Sequence, residues 1–223
     1  MAYTQHKMKK EGENFIAKST YRPISEPIAM LLSKTNITPN QVSFLSVASS
    51  AVAGIFFSLG EWQYLAIGYV FLQLTLLLDH IDGNLARFTG TSNELGQWVD
   101  SITNKFHKFF FIFGASIGIF KITNSYGYLL LGSAAIFSWF YLDYISETKT
   151  RLKFRKSLSL FKDSERIPLA ILMPNIFGLL VLVNKVQLAL WFIVLASLIW
   201  IKHIYKVIKQ WGIENQRQVK SLG

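Results

Sequence analysis

The chain has 223 residues, of which 51% are hydrophobic and 16% are charged, and it carries a formal net charge of +10. It contains no cysteine, which excludes disulfide bonds and thiol chemistry. A basic soluble protein would suggest a nucleic-acid partner, but here the Lys and Arg residues cluster in a few loops between long apolar segments. We therefore expect a protein that contacts membrane lipids and anionic ligands, and no nucleic acid.

Hydrophobic segments predict an all-α integral membrane protein with six transmembrane helices, preceded by an amphipathic juxtamembrane helix over Tyr21–Lys34. The amphipathic helix is expected to lie either at the membrane surface or against the protein's own flank. Thr38 and Pro39 are typical of a helix start, as the N-cap and the first helical residue. The six apolar helices are predicted over 40–59, 62–87, 94–120, 122–142, 167–184 and 186–201.

These boundaries predict three regions: an N-terminal arm with the interfacial helix (1–38), a six-helix domain (39–211) and a polar C-terminal tail (212–223). The basic residues predict the orientation. Residues 1–39 hold six Lys or Arg and residues 149–166 hold seven, whereas the opposite turns hold only Lys121 and Lys185. The positive-inside rule therefore places both termini, and the hairpin between the second and third apolar helices, in the cytoplasm.

Residues 79–104 are the one place where several acids interrupt the apolar sequence. With helices on both sides of a break near Gly90, two sets of residues each fall on one helix face. The first set, at i, i+3, i+4, i+7 and i+8, is Asp79, Asp82, Gly83, Ala86 and Arg87. The second set, at i, i+4 and i+8, is Gly96, Asp100 and Asn104. A short hairpin over 89–93 would turn these two stripes toward each other.

Acids inside or next to apolar helices cost roughly 2.5–3.5 kcal/mol each on insertion scales, which makes them a functional-site hypothesis. Helix capping is the structural alternative, but Asp79 and Asp82 lie toward the carboxyl end of their helix, where the macrodipole disfavours anions. Converging carboxylates favour a hard cation such as Mg²⁺ or Mn²⁺. The small residues of the stripes serve either helix packing or the approach of a phosphate ligand, and Arg87 is suited to bind phosphate.

The spacing resembles the signature of the CDP-alcohol phosphotransferases, D-x-x-D-G-x-x-A-R, eight residues, then G-x-x-x-D-x-x-x-D. Seven of the eight fixed positions match, and the eighth, where the family has Asp, is Asn104. The resemblance implies transfer of a substituted phosphate from a CDP-linked donor to an acceptor hydroxyl with release of CMP, in phospholipid or polar-headgroup biosynthesis. The donor would be CDP-diacylglycerol, CDP-archaeol or a CDP-alcohol, in a prokaryotic cell membrane.

The resemblance also implies roles for the stripe residues. The metal ligands would be Asp79, Asp82, Asp100 and Asn104, holding Mg²⁺ or Mn²⁺, two ions in the family. The nucleotide would contact Asp82, Gly83, Ala86, Arg87 and Gly96. The catalytic positions would be Asp100 and position 104. Relatives are homodimers through the third and fourth helices, where this chain offers the small residues Gly114, Gly118, Gly132 and Ser133.

Asn104 leaves several alternatives open, because an amide offers a carbonyl oxygen to a metal but cannot take a proton. The base would be His107, Glu147 or a metal-bound water, or the metal site is rearranged. Alternatively, the chain binds CDP-lipids without turning them over, or Asn104 was introduced to trap substrate. A transporter or channel would also carry acids in its helices, but would not explain their clustering in one hairpin.

A basic segment follows the fourth apolar helix and reads ETKTRLKFRKS. The topological interpretation is that its charges set the orientation and contact anionic lipids. The functional interpretation is that its side chains bind the phosphate or headgroup of the acceptor. The residues chosen for this role are Lys149, Arg151 and Arg155.

Overall fold

The computed structural model describes residues 20–151 and 169–198 together with Tyr205 and Lys209, and excludes the side chains of 145–151 and 169–171. Within these residues all regular structure is helical, as the sequence predicts. The helices are α1 Arg22–Leu32, α2 Pro39–Leu59, α3 Trp62–Phe88, α4 Glu94–Thr123, α5 Gly127–Arg151, α6 Leu169–Leu182 and α7 Val186–Leu198. Of these, α2, α3 and α4 are long and apolar enough to cross a membrane. Helix α7 and the Leu172–Leu182 part of α6 are apolar but shorter.

The predicted helix start at Thr38 is confirmed. Thr38 and Gln41 form a capping box, in which the Thr38 side chain accepts from the Gln41 backbone N–H and the Gln41 side chain accepts from the Thr38 N–H. At the other end, Gly60 has a φ of 83° and terminates α2 in the left-handed conformation. The first apolar helix therefore has the predicted length to within one residue.

The fourth apolar helix differs from the prediction at both ends. It was predicted over 122–142 from continuous apolar sequence, but α4 continues to Thr123 and Asn124 ends it with a φ of 52°. Asn tolerates this left-handed conformation, which apolar residues avoid. At the far end, α5 continues to Arg151, because no glycine or proline interrupts the chain between Ser133 and that residue. The backbone of Lys149 and Arg151 is therefore helical.

The amphipathic segment forms α1 and packs against α3, in line with the alternative that places it on the protein's own flank. Its Ser25 and Ala29 are fully buried, and Ala29 belongs to an apolar cluster with Ile81 and Leu85 of α3. Its other face exposes apolar side chains, including Leu31 at 66%. Contact of that face with a membrane surface stays a prediction.

Helix α2 lies at the centre of the packing. It contacts α3 and α4 extensively, whereas α3 and α4 scarcely touch each other. The approach of α2 to α4 is so close that a Cβ on Gly114 would overlap the backbone of Gly54. Phe57 of α2 adds edge-to-face contacts with Phe111 of α4 and Phe177 of α6. The central helix therefore fixes how α3 and α4 present their polar ends.

The small residues offered as a dimer surface are mostly used inside the chain. Gly114 and Gly118 face the backbone of α2, and Gly132 packs on Ser116 of α4. Only Ser133 among the four is exposed. The assignment of those three glycines to a dimer interface was therefore wrong, because close helix packing within one chain uses the same residue types. The homodimer itself stays a prediction.

Candidate active site

The hairpin between α3 and α4 forms at the predicted place. Gly90 has a φ of 69°, and the N–H of Thr91 donates to the carbonyl of Ala86, which is the hydrogen bond of a Schellman motif. The Asn93 side chain then accepts from the N–H of Gly96 at 2.7 Å and caps the start of α4. The turn at Gly90 and the cap at Asn93 each depend on residues close together in the sequence, and both direct the chain back toward α3.

The three aspartates of the two stripes converge, as predicted. One carboxylate oxygen from each of Asp79, Asp82 and Asp100 lies within 4.8 Å of the others. Asp82 is buried, Asp79 is half-buried and Asp100 is exposed. The cluster is thus open on the side of α4 and closed on the side of α3, which suits a site that a water-soluble group enters from one direction.

Asp82 receives a hydrogen bond that sequence reasoning missed. The Ser43 hydroxyl of α2 lies 2.5 Å from Asp82 Oδ2, and the two residues are 6% and 5% exposed. This contact fixes one oxygen of the Asp82 carboxylate. The hydroxyl contributes no charge, so the negative charge of Asp82 remains uncompensated by Ser43.

Asp79 provides a further indication of a cation site. Its Oδ1 is buried and has no hydrogen-bond partner among the described residues. Its Oδ2 lies 3.8 Å from Nδ1 of His80, which is too long for a hydrogen bond. A buried, unsatisfied carboxylate oxygen beside two other carboxylates fits a hard divalent cation, because Mg²⁺ and Mn²⁺ prefer oxygen ligands.

Asn104 lies on α4 one turn beyond Asp100 and interacts with it. Asn104 Nδ2 donates to the Asp100 carbonyl at 3.0 Å and to Asp100 Oδ1 at 3.2 Å. Because the amide nitrogen faces Asp100, the amide oxygen points to the other side. Asn104 thereby holds the Asp100 carboxylate and keeps its own oxygen available as a neutral ligand.

His107, a candidate for the missing base, is 3% exposed and packs against α2. Its Nε2 lies 3.0 Å from the Ser46 hydroxyl, which donates its own proton to the Ser43 carbonyl at 2.7 Å. This contact joins the buried His107 ring to α2, which favours the alternative that His107 has a helix-packing role. The other candidate, Glu147, lies on α5 with its side chain outside the described part.

Of the positions that the family resemblance assigns to the nucleotide, Gly83, Ala86 and Arg87 lie along one face of α3, and Gly96 lies on α4. Arg87 donates from Nη2 to Oδ1 of Asn84. A Cβ added to Gly83 would meet nothing nearer than Arg87 Nη1 at 3.8 Å, so the backbone there is open. At Gly96 the nearest atom would be Asn93 Oδ1 at 3.4 Å, an ordinary contact. Ala86 is half-buried. The face thus combines an accessible backbone with one guanidinium.

Lys108 was missed, although it occupies the next step of the Gly96, Asp100, Asn104 series at i+4. Its ammonium pairs with Asp143 of α5 at 2.5 Å and lies 5.4 Å from the ring centroid of Trp139. The spacing alone could have identified it. For the residues predicted to bind the acceptor, the structure describes only the backbone of Lys149 and Arg151. Their side chains, and all of Arg155, lie outside the described residues.

Comparison with known proteins gives a family match. The family model described as CDP-alcohol phosphatidyltransferase matches residues 36–200. A bifunctional IPC transferase and DIPP synthase of Aquifex aeolicus is 27% identical over 136 residues, which are 61% of this chain and 30% of the relative. An archaetidylinositol phosphate synthase of Aeropyrum pernix is 35% identical over 80 residues, which are 35% of this chain and 39% of the relative.

A solved structure shares the fold. The crystal structure of Mycobacterium tuberculosis phosphatidylinositol phosphate synthase with CDP-DAG bound has a TM-score of 0.63 and 20% identity, covering 83% of this chain and 94% of that chain. The alignments with the curated relatives are shorter, and the chain spans only 30% of the Aquifex aeolicus protein. The three helices that are long and apolar enough to cross a membrane, together with the family match, identify the chain as a membrane protein.

Proposed function

Because this chain belongs to the CDP-alcohol phosphatidyltransferase family, we propose that it transfers a substituted phosphate from a CDP-linked lipid to an acceptor hydroxyl and releases CMP. The observation that carries the proposal is the convergence of Asp79, Asp82 and Asp100 within 4.8 Å. Acids gathered at the end of apolar helices are costly, so a role beyond structure is expected of them. The proposed setting is phospholipid biosynthesis in a prokaryotic cell membrane.

We propose that the three aspartates hold Mg²⁺ or Mn²⁺, with the amide oxygen of Asn104 available to a second ion. The unsatisfied Oδ1 of Asp79 supports this assignment. When bound, such ions polarise the transferred phosphate and stabilise the CMP leaving group. Ser43 orients Asp82 and Asn104 orients Asp100, so two carboxylates are held in place before any ligand arrives.

The donor nucleotide is proposed to lie along the face of α3 that carries Gly83, Ala86 and Arg87, with Gly96 opposite. Arg87 would bind the diphosphate, since a guanidinium offers a planar set of donors to phosphate oxygens. Gly83 supports this placement because space is open above it. Because Gly83 and Ala86 lack large side chains, a diphosphate can approach the backbone of α3 without a clash.

The acceptor is proposed to be an alcohol that carries its own phosphate, of the inositol phosphate class. The names of the relatives from Aeropyrum pernix and Mycobacterium tuberculosis support this class for those proteins. In this chain the basic residues proposed to bind the acceptor phosphate are Lys149, Arg151 and Arg155. Glycerol phosphate and serine are the competing acceptors.

CMP release tests the activity. The purified chain in lipid nanodiscs would be given CDP-diacylglycerol, CDP-archaeol or a CDP-alcohol, each with inositol phosphate, glycerol phosphate or serine, in Mg²⁺ or Mn²⁺. We expect metal-dependent CMP release with at least one pair and its loss in Asp79→Ala. Glu94→Ala is the matched control, because this exposed acid lies on the same hairpin outside the stripes. Equal activity of Asp79→Ala and the native chain would contradict the metal assignment.

A second candidate function is binding of CDP-lipids without turnover. Asn104 favours it, because the residue in the place of the family's base already donates its amide protons to Asp100. This alternative predicts metal-dependent CDP binding with no CMP release from any donor. The orientation with both termini and the site in the cytoplasm, and the homodimer, apply equally to both functions and stay proposals.

A further inference from the structure

A chain of polar contacts connects the amphipathic helix α1 to the proposed nucleotide site. Asn84 Nδ2 lies 2.9 Å from the Ser25 hydroxyl of α1, and Asn84 Oδ1 accepts from Arg87 Nη2. Ser25 is 0% exposed and Asn84 is 5% exposed. Water therefore has little access to replace either contact, and the Asn84 amide depends on its two protein partners.

The chemistry of the three groups leaves one orientation for the Asn84 amide. A guanidinium only donates hydrogen bonds, so the amide oxygen must face Arg87. The amide nitrogen then faces Ser25 and donates to its hydroxyl oxygen. With Ser25 as acceptor, turning the amide over would place two donors against each other at Arg87. Arg87 thus fixes which way the Asn84 amide faces, and the Ser25 hydroxyl holds the nitrogen end of that amide.

Helix α1 is itself held firmly against the body of the protein. Tyr21 Oη lies 2.9 Å from Gln73 Oε1 and 3.0 Å from Asn175 Oδ1, and the Tyr21 ring packs edge-on against His80 at 4.7 Å between centroids. Burial raises the pKa of the Tyr21 phenol, so its hydroxyl stays protonated and can donate. The Ser25 hydroxyl is therefore held in place by the packing of α1 against the rest of the protein.

We propose that Ser25 is a positioning residue for the donor nucleotide: through Asn84 it holds the Arg87 guanidinium where the CDP diphosphate binds, an inference that rests on the proposed function. Without the Ser25 oxygen, the Asn84 amide loses one of its two hydrogen bonds and holds the Arg87 guanidinium less firmly. Donor binding weakens, while the carboxylates of Asp79, Asp82 and Asp100 keep their places. The amphipathic helix α1 then contributes to the nucleotide site.

The test compares Ser25→Ala with the native chain in nanodiscs, measuring CDP binding by titration at saturating Mg²⁺ and the KM and kcat for the CDP-lipid donor. We expect CDP affinity to fall and KM to rise by about two- to tenfold, the loss of one hydrogen bond, with kcat unchanged. Ser50→Ala is the matched control, because Ser50 is also fully buried and donates only within its own helix, to Val47.

A double-mutant cycle separates positioning from a general loss of structure. In an Arg87→Ala background, Ser25→Ala should weaken CDP binding no further, because the group that it positions is already absent. An undiminished effect in that background, or equal CDP binding by Ser25→Ala and Ser50→Ala, overturns this inference alone. A native chain that binds no CDP in Mg²⁺ overturns the proposed function, and this inference with it.

Discussion

Asn104→Asp is the substitution that tests the proposed chemistry most directly, because Asn104 is the one departure from the family signature. In the structure its amide donates to the Asp100 carbonyl at 3.0 Å and to Asp100 Oδ1 at 3.2 Å. An ionised aspartate has no proton to donate, so both hydrogen bonds are lost. In their place a second carboxylate stands one helical turn from Asp100.

The size of the effect follows from these contacts. Two like charges at i and i+4 destabilise an isolated helix by roughly 0.2–0.5 kcal/mol, and by more where the pair is partly shielded from water. A cation between them reverses this term, so the variant should bind a second ion more tightly. A general base contributes roughly 10²–10⁴ in rate. We expect CMP release to rise at least about tenfold. A rise of only about tenfold, below the usual range for a general base, is expected where a metal-bound water already accepts the proton.

The assay is the initial rate of CMP release at saturating donor and acceptor, measured across a titration of Mg²⁺ or Mn²⁺. Asn36→Asp serves as the control, because it makes the same chemical change at an exposed position between α1 and α2. The rate of the control should equal that of the native chain. In Asn104→Asp the metal titration should shift to lower concentration and the rate should increase.

A fast native enzyme that Asn104→Asp slows would refute this reasoning. Asn104 would then be an adapted ligand, and the base would be sought at His107, Glu147 or a metal-bound water. Absence of CMP release from both forms with every CDP-donor would instead favour the non-catalytic binder.

Three further predictions concern the scaffold and the membrane. Ser43→Ala removes the hydrogen-bond partner of Asp82, a proposed metal ligand, and should weaken Mg²⁺ affinity about 10- to 100-fold; unchanged affinity in a metal titration would exclude that role. Gly114→Ala should destabilise the fold by about 1–3 kcal/mol in thermal unfolding, because its Cβ overlaps the α2 backbone, while Gly127→Ala should not. A topology reporter fused after Gly223 should respond on the cytoplasmic face, and an external response would reverse the orientation.

The parts of the site that depend on spacing along one helix could be predicted from the sequence. Asp79 and Asp82 are three residues apart, so any helix brings them to one face. Gly90 and Asn93 supply a turn and a helix cap, so the return of the chain is also a local property. These two facts predict that Asp100 returns toward the other two acids, and the packing of both helices on α2 fixes how near it comes.

Contacts between separate helices could not be predicted in this way. Ser43 and Asp82 are 39 residues apart, and Ser25 and Asn84 are 59 apart. Serine is common in membrane helices, and no periodicity identifies which of them faces an acid on another helix. The same ambiguity explains Gly114, since a small residue permits close packing without indicating whether the partner is the same chain or a second copy.

The packing of the helices leaves the repulsion between the three carboxylates largely uncompensated, which favours a bound cation. Both α3 and α4 rest on α2 and scarcely touch each other, so few apolar contacts offset repulsion between the carboxylates at their hairpin end. Ser43 gives Asp82 a hydrogen bond but no opposite charge, and Asp79 Oδ1 has no described partner at all. A cation shared by the three carboxylates would replace that repulsion with attraction. Ion binding and the packing of this hairpin are therefore linked, because a ligand that binds only the folded hairpin stabilises it.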